Sequence, residues 1–396
     1  MATAKRRQDA SRLSKTVKQR TGGGDSRESS RAKLCLEAGS DFGVTVGMTM
    51  NRQRLALLVT TALTAVALAT RMAAAQDSTW LANPGSGDYN TGANWAGGTV
   101  PTGTASFGTS AATSLTFSTS TAIGGWTFDA GASVYTFATN GQTTSFNGAG
   151  IVVNGGGVAI TNSGALQFGA SSTAGSATIN NTNFTQFDAN STAGGATINN
   201  TNFTQFSANS TAGNATINNA NFVMFGASST AGTAVITNTN LLRISETSTA
   251  GNATINNSSV VQFLDAGTAG NATFNNSGDL QFLGDNATGG NATITNNGGL
   301  VEFYAASSAG SSTINNANAG TVTFRNSSTA GNATITNGIG GVVRFIQNST
   351  GGNAQLINVD GGTVAFWGGT GPLGDGRLSA GSIAGGGTYS LGSREL

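Results

Sequence analysis

A phrase of about ten residues recurs along most of this chain, and it limits the folds that the chain can adopt. Ser-Thr-Ala-Gly-Asn-Ala-Thr-Ile-Asn-Asn at 210–219 has close relatives at 191–200, 248–257 and 328–337. Its glycine recurs every 19 to 21 residues, at Gly175, Gly194, Gly213, Gly232, Gly251, Gly270, Gly290, Gly310, Gly331 and Gly352. A unit this short cannot bury an apolar face alone. Copies of it can do so by stacking, which predicts a solenoid.

A second series keeps the same period and marks the end of a short strand. It comprises Phe168, Phe187, Phe206, Phe225, Ile244, Phe263, Phe282, Phe303, Phe324, Phe345 and Phe366. An apolar residue or Thr stands two positions earlier, and the residue between is mostly polar, as in Val261, Gln262 and Phe263. The other strand of each unit is Ala-Thr-Ile, in which Ala215 and Ile217 share a face. This alternation predicts strands with one dry face and one solvated face.

The composition of the units decides between a helical and a β repeat. The units are rich in Thr, Asn, Gly and Ser, which are poor formers of helix interiors, so helical repeats are disfavoured. We therefore predict an all-β fold, a right-handed parallel β-helix (β-solenoid) with 19–21-residue rungs over roughly residues 110–391. The periodic Phe and Ile residues are expected to lie inside it.

An asparagine stands two positions after the Ile of each Ala-Thr-Ile strand, or after the residue that replaces this Ile. The series is Asn162, Asn181, Asn200, Asn219, Asn238, Asn257, Asn276, Asn296, Asn316, Asn337 and Asn358. Asn tolerates the left-handed backbone of a sharp bend, and stacked amides can hydrogen-bond from rung to rung. We expect an internal Asn ladder at a corner of the solenoid. The alternative is a polar binding strip.

Residues 1–47 do not share the repeat. They are basic and contain the only cysteine, Cys35. We interpret them as a disordered leader or as the product of a start codon assigned too far upstream, with Met48 or Met50 as the true start in place of Met1. A basic segment that contacts nucleic acid or anionic lipid is the alternative.

Residues 48–75 have the three parts of an export signal. A basic stretch at 51–54 precedes an apolar run at 55–70, and Ala-Ala-Ala at 73–75 is a small-residue cleavage site before Gln76. The apolar run is short for a membrane span. We expect export through the inner membrane, and a buried amphipathic helix is the alternative.

Cleavage before Gln76 would reverse the charge of the protein. Of the 18 Lys and Arg residues, 13 precede Gln76, so residues 76–396 keep 5 Arg against 12 Asp and Glu, a formal net charge of −7. This acidic balance argues against nucleic acid as a partner. The remaining chain has no Lys, His or Cys, which is compatible with an oxidising compartment.

The exported part divides by the regularity of its repeat. Residues 76–110 concentrate Trp80, Tyr89, Trp95 and Phe107 among Gly and Pro turns. We predict an N-terminal cap over the open end of the solenoid, with a sugar-binding aromatic cluster as the alternative. The remaining segments are predicted to be irregular β-helix rungs at 111–165, regular rungs at 166–368 and the truncated start of further repeats at 369–396.

Four features resemble the passenger region of bacterial autotransporters over roughly residues 48–396. They are the export signal, the head with Trp80, Trp95 and Phe107, the Gly/Thr/Asn-rich rungs, and the closing Gly-Asp-Gly-Arg-Leu-Ser-Ala-Gly-Ser-Ile-Ala-Gly-Gly-Gly-Thr-Tyr-Ser-Leu at 374–391. The resemblance implies type V secretion in a Gram-negative bacterium, a β-helical passenger and a C-terminal outer-membrane barrel. No barrel strands follow in this sequence. We therefore expect a truncated product or a chain without the barrel, with the protein secreted or at the cell surface, or periplasmic if the barrel is truly absent.

The repeats contain few groups for catalysis. The chain has no His, so a nucleophile activated by His is excluded. The acids of the rungs are Asp188, Glu246, Asp265, Asp279, Asp285 and Glu302. Asp265 and Asp285 follow successive second strands and could approach each other, as paired carboxylate chemistry requires. Solvated loop charges are the simpler reading, so we expect no catalytic residue, cofactor or metal site.

A column of threonines is predicted on the outer surface. Its members are Thr178, Thr197, Thr216, Thr254, Thr273, Thr293, Thr313 and Thr334. Flat Thr arrays resemble ice-binding faces, but such faces use paired columns, and strand propensity already explains an exposed Thr.

From these features we expect an exported, non-catalytic, monomeric passenger of structural or adhesin-like type. Its regular surface would make weak multivalent contacts with host or environmental glycans or with a cell surface. The alternative is a polysaccharide-active β-helix enzyme of the lyase or hydrolase type. Such an enzyme would interrupt the repeat with acids, a metal cluster or a long loop. The regular units show no such interruption, and their outward central strand position carries charge only at Arg243, Glu302 and Arg344.

Overall fold

Residues 75–396, described by a computed structural model, form a parallel β-solenoid with two long sheets. Within these residues the single helical segment is a 3₁₀ turn at Gly92–Asn94. The predicted all-β fold with rungs of about 20 residues is therefore confirmed. The predicted leader at 1–47 and nearly all of the predicted signal at 48–75 lie outside the described residues.

The strands alternate between the two sheets along the chain. The first fifteen are β1 (Ser78–Thr79), β2 (Thr104–Phe107), β3 (Ser114–Thr116), β4 (Thr121–Phe128), β5 (Val134–Ala138), β6 (Thr143–Val153), β7 (Gly157–Asn162), β8 (Ala165–Phe168), β9 (Thr178–Asn181), β10 (Phe184–Phe187), β11 (Thr197–Asn200), β12 (Phe203–Phe206), β13 (Thr216–Asn219), β14 (Phe222–Phe225) and β15 (Val235–Asn238). The others are β16 (Leu241–Ile244), β17 (Thr254–Asn257), β18 (Val260–Phe263), β19 (Thr273–Asn276), β20 (Asp279–Phe282), β21 (Thr293–Asn297), β22 (Leu300–Phe303), β23 (Thr313–Ala317), β24 (Thr321–Phe324), β25 (Thr334–Asn337), β26 (Val342–Gln347), β27 (Gln355–Asn358), β28 (Thr363–Gly369), β29 (Ser382–Ala384) and β30 (Thr388–Ser390). Sheet A contains β1 and the even-numbered strands, and sheet B contains β3 and the later odd-numbered strands.

One rung shows why this sequence forms strands. In β13, Ile217 is buried and Thr216 is exposed, and in β14 both Val223 and Phe225 are buried. The next rung pairs in the same register, so equivalent residues lie above one another. A slip by one residue would turn every buried side chain outward, and the apolar alternation therefore sets the register within a strand.

Each rung has a third side, formed by the segment that connects a strand of sheet A to the next strand of sheet B. It is a column of single parallel bridges through Thr173, Thr192, Thr211, Thr230, Thr249, Thr268, Thr288, Ser308, Thr329 and Thr350. The Thr211 hydroxyl accepts a hydrogen bond from the Gly213 N–H at 2.9 Å. Gly213 has φ of +62°, and a Cβ there would lie 2.8 Å from the Gly194 carbonyl oxygen. The repeated glycine is thus required by both its conformation and its packing.

The periodic phenylalanines form a continuous column in the core, as predicted. They are fully buried, and successive rings in this column stack with centroids 4.6–5.1 Å apart and interplanar angles of 5–12°. Ile244 occupies one place in the column and is equally buried. The core is therefore as regular as the sequence period.

The predicted internal Asn ladder is also confirmed. The Asn219 Nδ2 donates to Asn238 Oδ1 at 2.7 Å and to the Leu241 carbonyl oxygen at 2.8 Å. Equivalent amide pairs run without interruption from Asn162 to Asn358. The expectation of a left-handed backbone at these positions is wrong. The amides are retained because each satisfies polar groups of the next rung.

Left-handed residues occur instead in the turn that follows the sheet A strand. Ala189 and Asn190 have φ of 49° and 65°, and most other rungs have left-handed residues at the equivalent positions. This turn is where the carboxylates of the repeat region are concentrated.

Parallel pairing begins before residue 110, the predicted start of the solenoid. Ser78 of β1 aligns with Ala105 of β2, so the head already contributes strands to sheet A. Trp80, Tyr89 and Trp95 are buried there and pack edge to face, with centroids about 5 Å apart. Their burial is why the head folds as part of the stack.

Candidate binding surface

The outward face of sheet B carries two parallel columns of side chains. The first is Thr178, Thr197, Thr216, Val235, Thr254, Thr273, Thr293, Thr313, Thr334 and Gln355, and the second is Asn180, Asn199, Asn218, Thr237, Asn256, Asn275, Thr295, Asn315, Thr336 and Ile357. All are exposed or half-buried. The predicted outward Thr column therefore has a neighbour that the sequence reasoning did not place beside it.

The second column is partly satisfied by bonds within itself. Asn218 Nδ2 donates to Asn199 Oδ1 at 2.8 Å, and Asn275 Nδ2 donates to Asn256 Oδ1 at 2.7 Å. These amides keep fewer polar groups free for a ligand than a second column of hydroxyls would. The face is a regular polar lattice with spacings of about 4.8 Å between rungs and about 6.7 Å between columns.

The outward face of sheet A is more varied than predicted. Its first outward position holds Phe184, Phe203, Phe222, Leu241 and Val260 in successive rungs, all half-buried. The predicted alternation of the three residues that end at each periodic Phe is confirmed, but that prediction did not cover this first position, which is apolar in these rungs. Phe203 and Phe222 stack with centroids 4.9 Å apart and planes 7° from parallel, so they cover one another's faces.

Arg243 lies against this apolar stripe. Its guanidinium carbon is 5.4 Å from the Phe222 ring centroid, and Nη2 donates to Gln262 Oε1 at 3.2 Å. A guanidinium at this distance from a ring is attracted to the π face. Arg243 thus contacts the ring in its own surface and is not held out for a partner.

The predicted pair Asp265 and Asp285 does meet in one place. Together with Glu246, both line a shallow open hollow of about 550 Å³ beside the turns after sheet A. The Glu246 carboxylate accepts a bond from the Ala227 N–H at 2.8 Å, and the Asp265 carboxylate accepts one from the Glu246 N–H at 3.1 Å. Two of the three carboxylates therefore stabilise the left-handed turn of the preceding rung by accepting hydrogen bonds from its backbone, which is a structural role.

The other acids of the rungs have separate surroundings. Asp188 accepts a bond from the Ser207 hydroxyl at 3.2 Å. Glu302 forms an ion pair with Arg325 at 2.7 Å. Asp279 lines a different, open groove of about 370 Å³ on sheet A. The structure does not bring these three carboxylates to the hollow of Asp265.

The head offers no open aromatic platform. Burial raises the pKa of Tyr89, whose hydroxyl accepts a bond from Trp126 Nε1 at 3.2 Å. Trp95 Nε1 donates to the Tyr89 carbonyl oxygen at 2.8 Å. Because these rings face the core, they cannot stack on a sugar, and the aromatic-cluster alternative does not fit their burial.

Asp88 fixes the outer loop of the head. Burial alone would raise its pKa, but hydrogen bonds from the Thr91 hydroxyl, the Asn90 N–H and the Ser118 hydroxyl outweigh it and hold the pKa below the usual value. The charged carboxylate is thus satisfied by its own loop.

Two kinds of feature are absent from residues 75–396. No cluster of three or more His, Cys, Asp or Glu side chains is arranged to hold a metal. In that part of the chain no helix has the length and apolar character needed to cross a membrane.

Comparisons of the chain with protein families, with curated proteins and with solved structures give no match.

Proposed function

We propose that this protein is an exported, non-catalytic passenger of the autotransporter type, whose outer faces bind glycans or another cell-surface component through many weak contacts. The observation that carries the proposal is the pair of in-register polar columns along sheet B. Mostly Thr and Asn side chains at one fixed spacing suit a ligand that is itself periodic. Weak contacts add up when many can form at once.

The shape of the surface supports binding along a face more than catalysis in a pocket. The hollow of Asp265 and the groove of Asp279 are shallow and open, and two acids in the hollow of Asp265 are tied to backbone N–H groups. Catalytic and small-molecule sites are usually concave and exclude water. A long polymer can bind along an open face and does not need a concave pocket.

The number of rungs is the variable that tests multivalent binding. A variant lacking residues 210–228 loses one 19-residue rung and joins Asn209 to Ser229, which restores the repeated phrase. Binding of the full chain and of this variant to a glycan array and to whole cells should show the same ligand preference. The shorter chain should bind more weakly, since each rung contributes contacts. Equal binding, or binding by neither, would count against the proposal.

The enzymatic alternative is tested on the same preparation. A polysaccharide lyase and hydrolase assay of the full chain should show no turnover. Turnover that disappears in Asp265→Asn or Asp285→Asn, but persists in the control Asp279→Asn outside that hollow, would establish the enzyme instead.

Export is tested by the mature N-terminus. We expect protein recovered from a Gram-negative host to begin at Gln76. Protein that begins at Met1 would contradict both the signal and the upstream start codon as interpreted.

A further inference from the structure

The repeat is broken on sheet A where β26 pairs with β28. Their register shifts between Arg344 and Ile346. The Phe366 ring still stacks on Phe345 at 5.1 Å, so Trp367 is the extra residue of a β-bulge. Bulges re-aim side chains and are frequent beside functional sites. This one turns a tryptophan to the outer face.

Two aromatic rings are open to solvent at this end of sheet A. Trp367 is 59% exposed and Tyr304 is 40% exposed, whereas the other three tryptophans are at most 2% exposed. The two rings are three rungs apart, about 14 Å at the spacing of strands. Unlike Phe203 and Phe222, neither stacks on another aromatic ring within residues 75–396. No other ring of this part of the chain therefore covers their faces, and the exposed part of each side chain is open to a ligand.

A cation without an ion-pair partner in the described part of the chain lies on a rung between those of Tyr304 and Trp367. Arg344 is exposed on β26, one rung before Trp367. Arg325 is paired with Glu302, but Arg344 takes part in no ion pair among residues 75–396. Arg325 and Arg344 line the groove of about 370 Å³ together with Asp279. The position thus offers one guanidinium outside any ion pair at the side of an open groove.

We propose that Tyr304, Arg344 and Trp367, here called the aromatic–arginine patch, bind a segment of a polysaccharide that contains uronic acids. A pyranose ring has an apolar C–H face that packs on an aromatic ring, and a guanidinium binds a carboxylate through two parallel hydrogen bonds. The patch would hold sugar rings on Trp367 and Tyr304 and a carboxylate at Arg344. This inference rests on the proposed function and assigns one ligand class within it.

Two other anionic polymers fit the patch less well. Nucleic acid binding takes most of its affinity from many cations along the phosphate backbone, and the patch supplies one cation, whereas a sugar chain packs its C–H faces on the two rings and needs a cation only where one carboxylate meets Arg344. An extended acidic peptide gains most of its affinity by pairing with a free sheet edge. The patch lies on the face of the sheet, where β26 is paired on both sides.

The test compares two arginine substitutions of the same kind in the full-length protein. Arg344→Gln and Arg243→Gln each restore the Gln that is common at this position of the repeat. We expect Arg344→Gln to weaken binding of polygalacturonate at least tenfold, and Arg243→Gln to change it less than twofold. Trp367→Ala should also weaken binding at least tenfold. Arg344 and Trp367 are exposed, so the fold should be retained in both of these variants. Circular dichroism would verify this.

The chemistry of the polymer separates the two contacts. With carboxyl-reduced polygalacturonate, Arg344→Gln should have no effect, whereas Trp367→Ala should still weaken binding. Equal losses in Arg344→Gln and Arg243→Gln would overturn the inference. Binding of polyglutamate that requires Arg344 but not Trp367 would assign the patch to an acidic peptide instead.

Different binding results would contradict this inference and the proposed function. If the chain binds neutral glycans or cells in a rung-dependent way but does not bind polygalacturonate, the inference is wrong and the proposed function stands. If it binds polygalacturonate independently of Arg344 and Trp367, the patch is also excluded. If it binds no surface at all, both are wrong.

Discussion

The first rungs and the regular rungs fill the same kind of core with different contacts. In residues 75–165 unlike rings meet in unlike geometries: Trp126 stacks on Phe137 at 4.2 Å and meets Phe146 edge to face at 4.9 Å. In the regular rungs, the core Phe pairs such as Phe187 and Phe206 repeat one stacked arrangement. The first region is packed by contacts that occur once, and the second by one contact used many times.

The difference bears on how the solenoid selects its pairing. A slip by a whole rung leaves every residue of the regular region on its correct face, so the repeat alone distinguishes poorly between rung partners. A contact such as Trp126 on Phe137 forms in only one alignment. We infer that the unlike contacts of the first rungs define where the stack begins, and that the regular rungs extend it.

The largest effect is expected from a charge in the regular core. Phe263→Asp would bury an unpaired carboxylate among stacked rings, at a cost of roughly 5 kcal/mol or more. Urea unfolding followed by circular dichroism should show loss of the native transition. The control is Gln262→Asp on the outward side of the same strand, which should unfold almost as the wild type does. Equal damage from both would mean that the inward and outward sides are not distinguished.

A substitution in each region tests unlike packing against repeated packing. Trp126→Ala should lower the free energy of unfolding by about 4 kcal/mol, since it leaves a large cavity and removes the donor to Tyr89. Phe206→Ile should cost less than about 1.5 kcal/mol, because Ile244 already fits the same column.

Both values come from urea denaturation, with the exposed Trp367→Ala as the control for loss of a tryptophan. If Phe206→Ile were as damaging as Trp126→Ala, the regular core would be as specific as the first rungs.

The two sides of one strand test the Asn ladder. Asn219→Ala removes a buried amide, so the Asn200 amide loses its side-chain acceptor and the Asn238 Oδ1 loses its donor, which should cost about 2 kcal/mol. Asn218→Ala, one residue earlier and outward, should change the free energy of unfolding by less than about 0.5 kcal/mol. Thermal melting of the two variants measures the difference, and equal values would remove the ladder from the account of stability.

The smallest effect on stability is expected from loss of a whole rung. The variant without residues 210–228 keeps every type of contact, so it should melt cooperatively within a few degrees of the wild type. Deletion of 19 residues at 85–103 removes Tyr89 and Trp95 and should abolish cooperative melting. If the two deletions had the same effect, the proposed distinction between the regions would fail.

Particular residues show how far the sequence reasoning reached. Phe263 and Asn219 were predicted inside because their period reports burial directly. The stripe beginning at Phe184 was missed although its alternation could have revealed it: Phe184 stands three positions before Phe187, and therefore outward. The bulge at Trp367 left no comparable signal, because an extra residue at one point does not alter the period.

By itself, the sequence determined which residues face inward and outward, the rung length and the Asn ladder. These follow from local alternation, since a strand that is half buried must match its pattern to its two faces. Only the tertiary structure decided which groups meet where the register or the turns depart from the repeat, such as the Glu246 N–H with the Asp265 carboxylate, and Trp367 in the bulge opposite β26. Which side chains on different rungs become neighbours depends on the turn lengths, the register and the bulges of the whole rung. The residue pattern of a single strand does not report these.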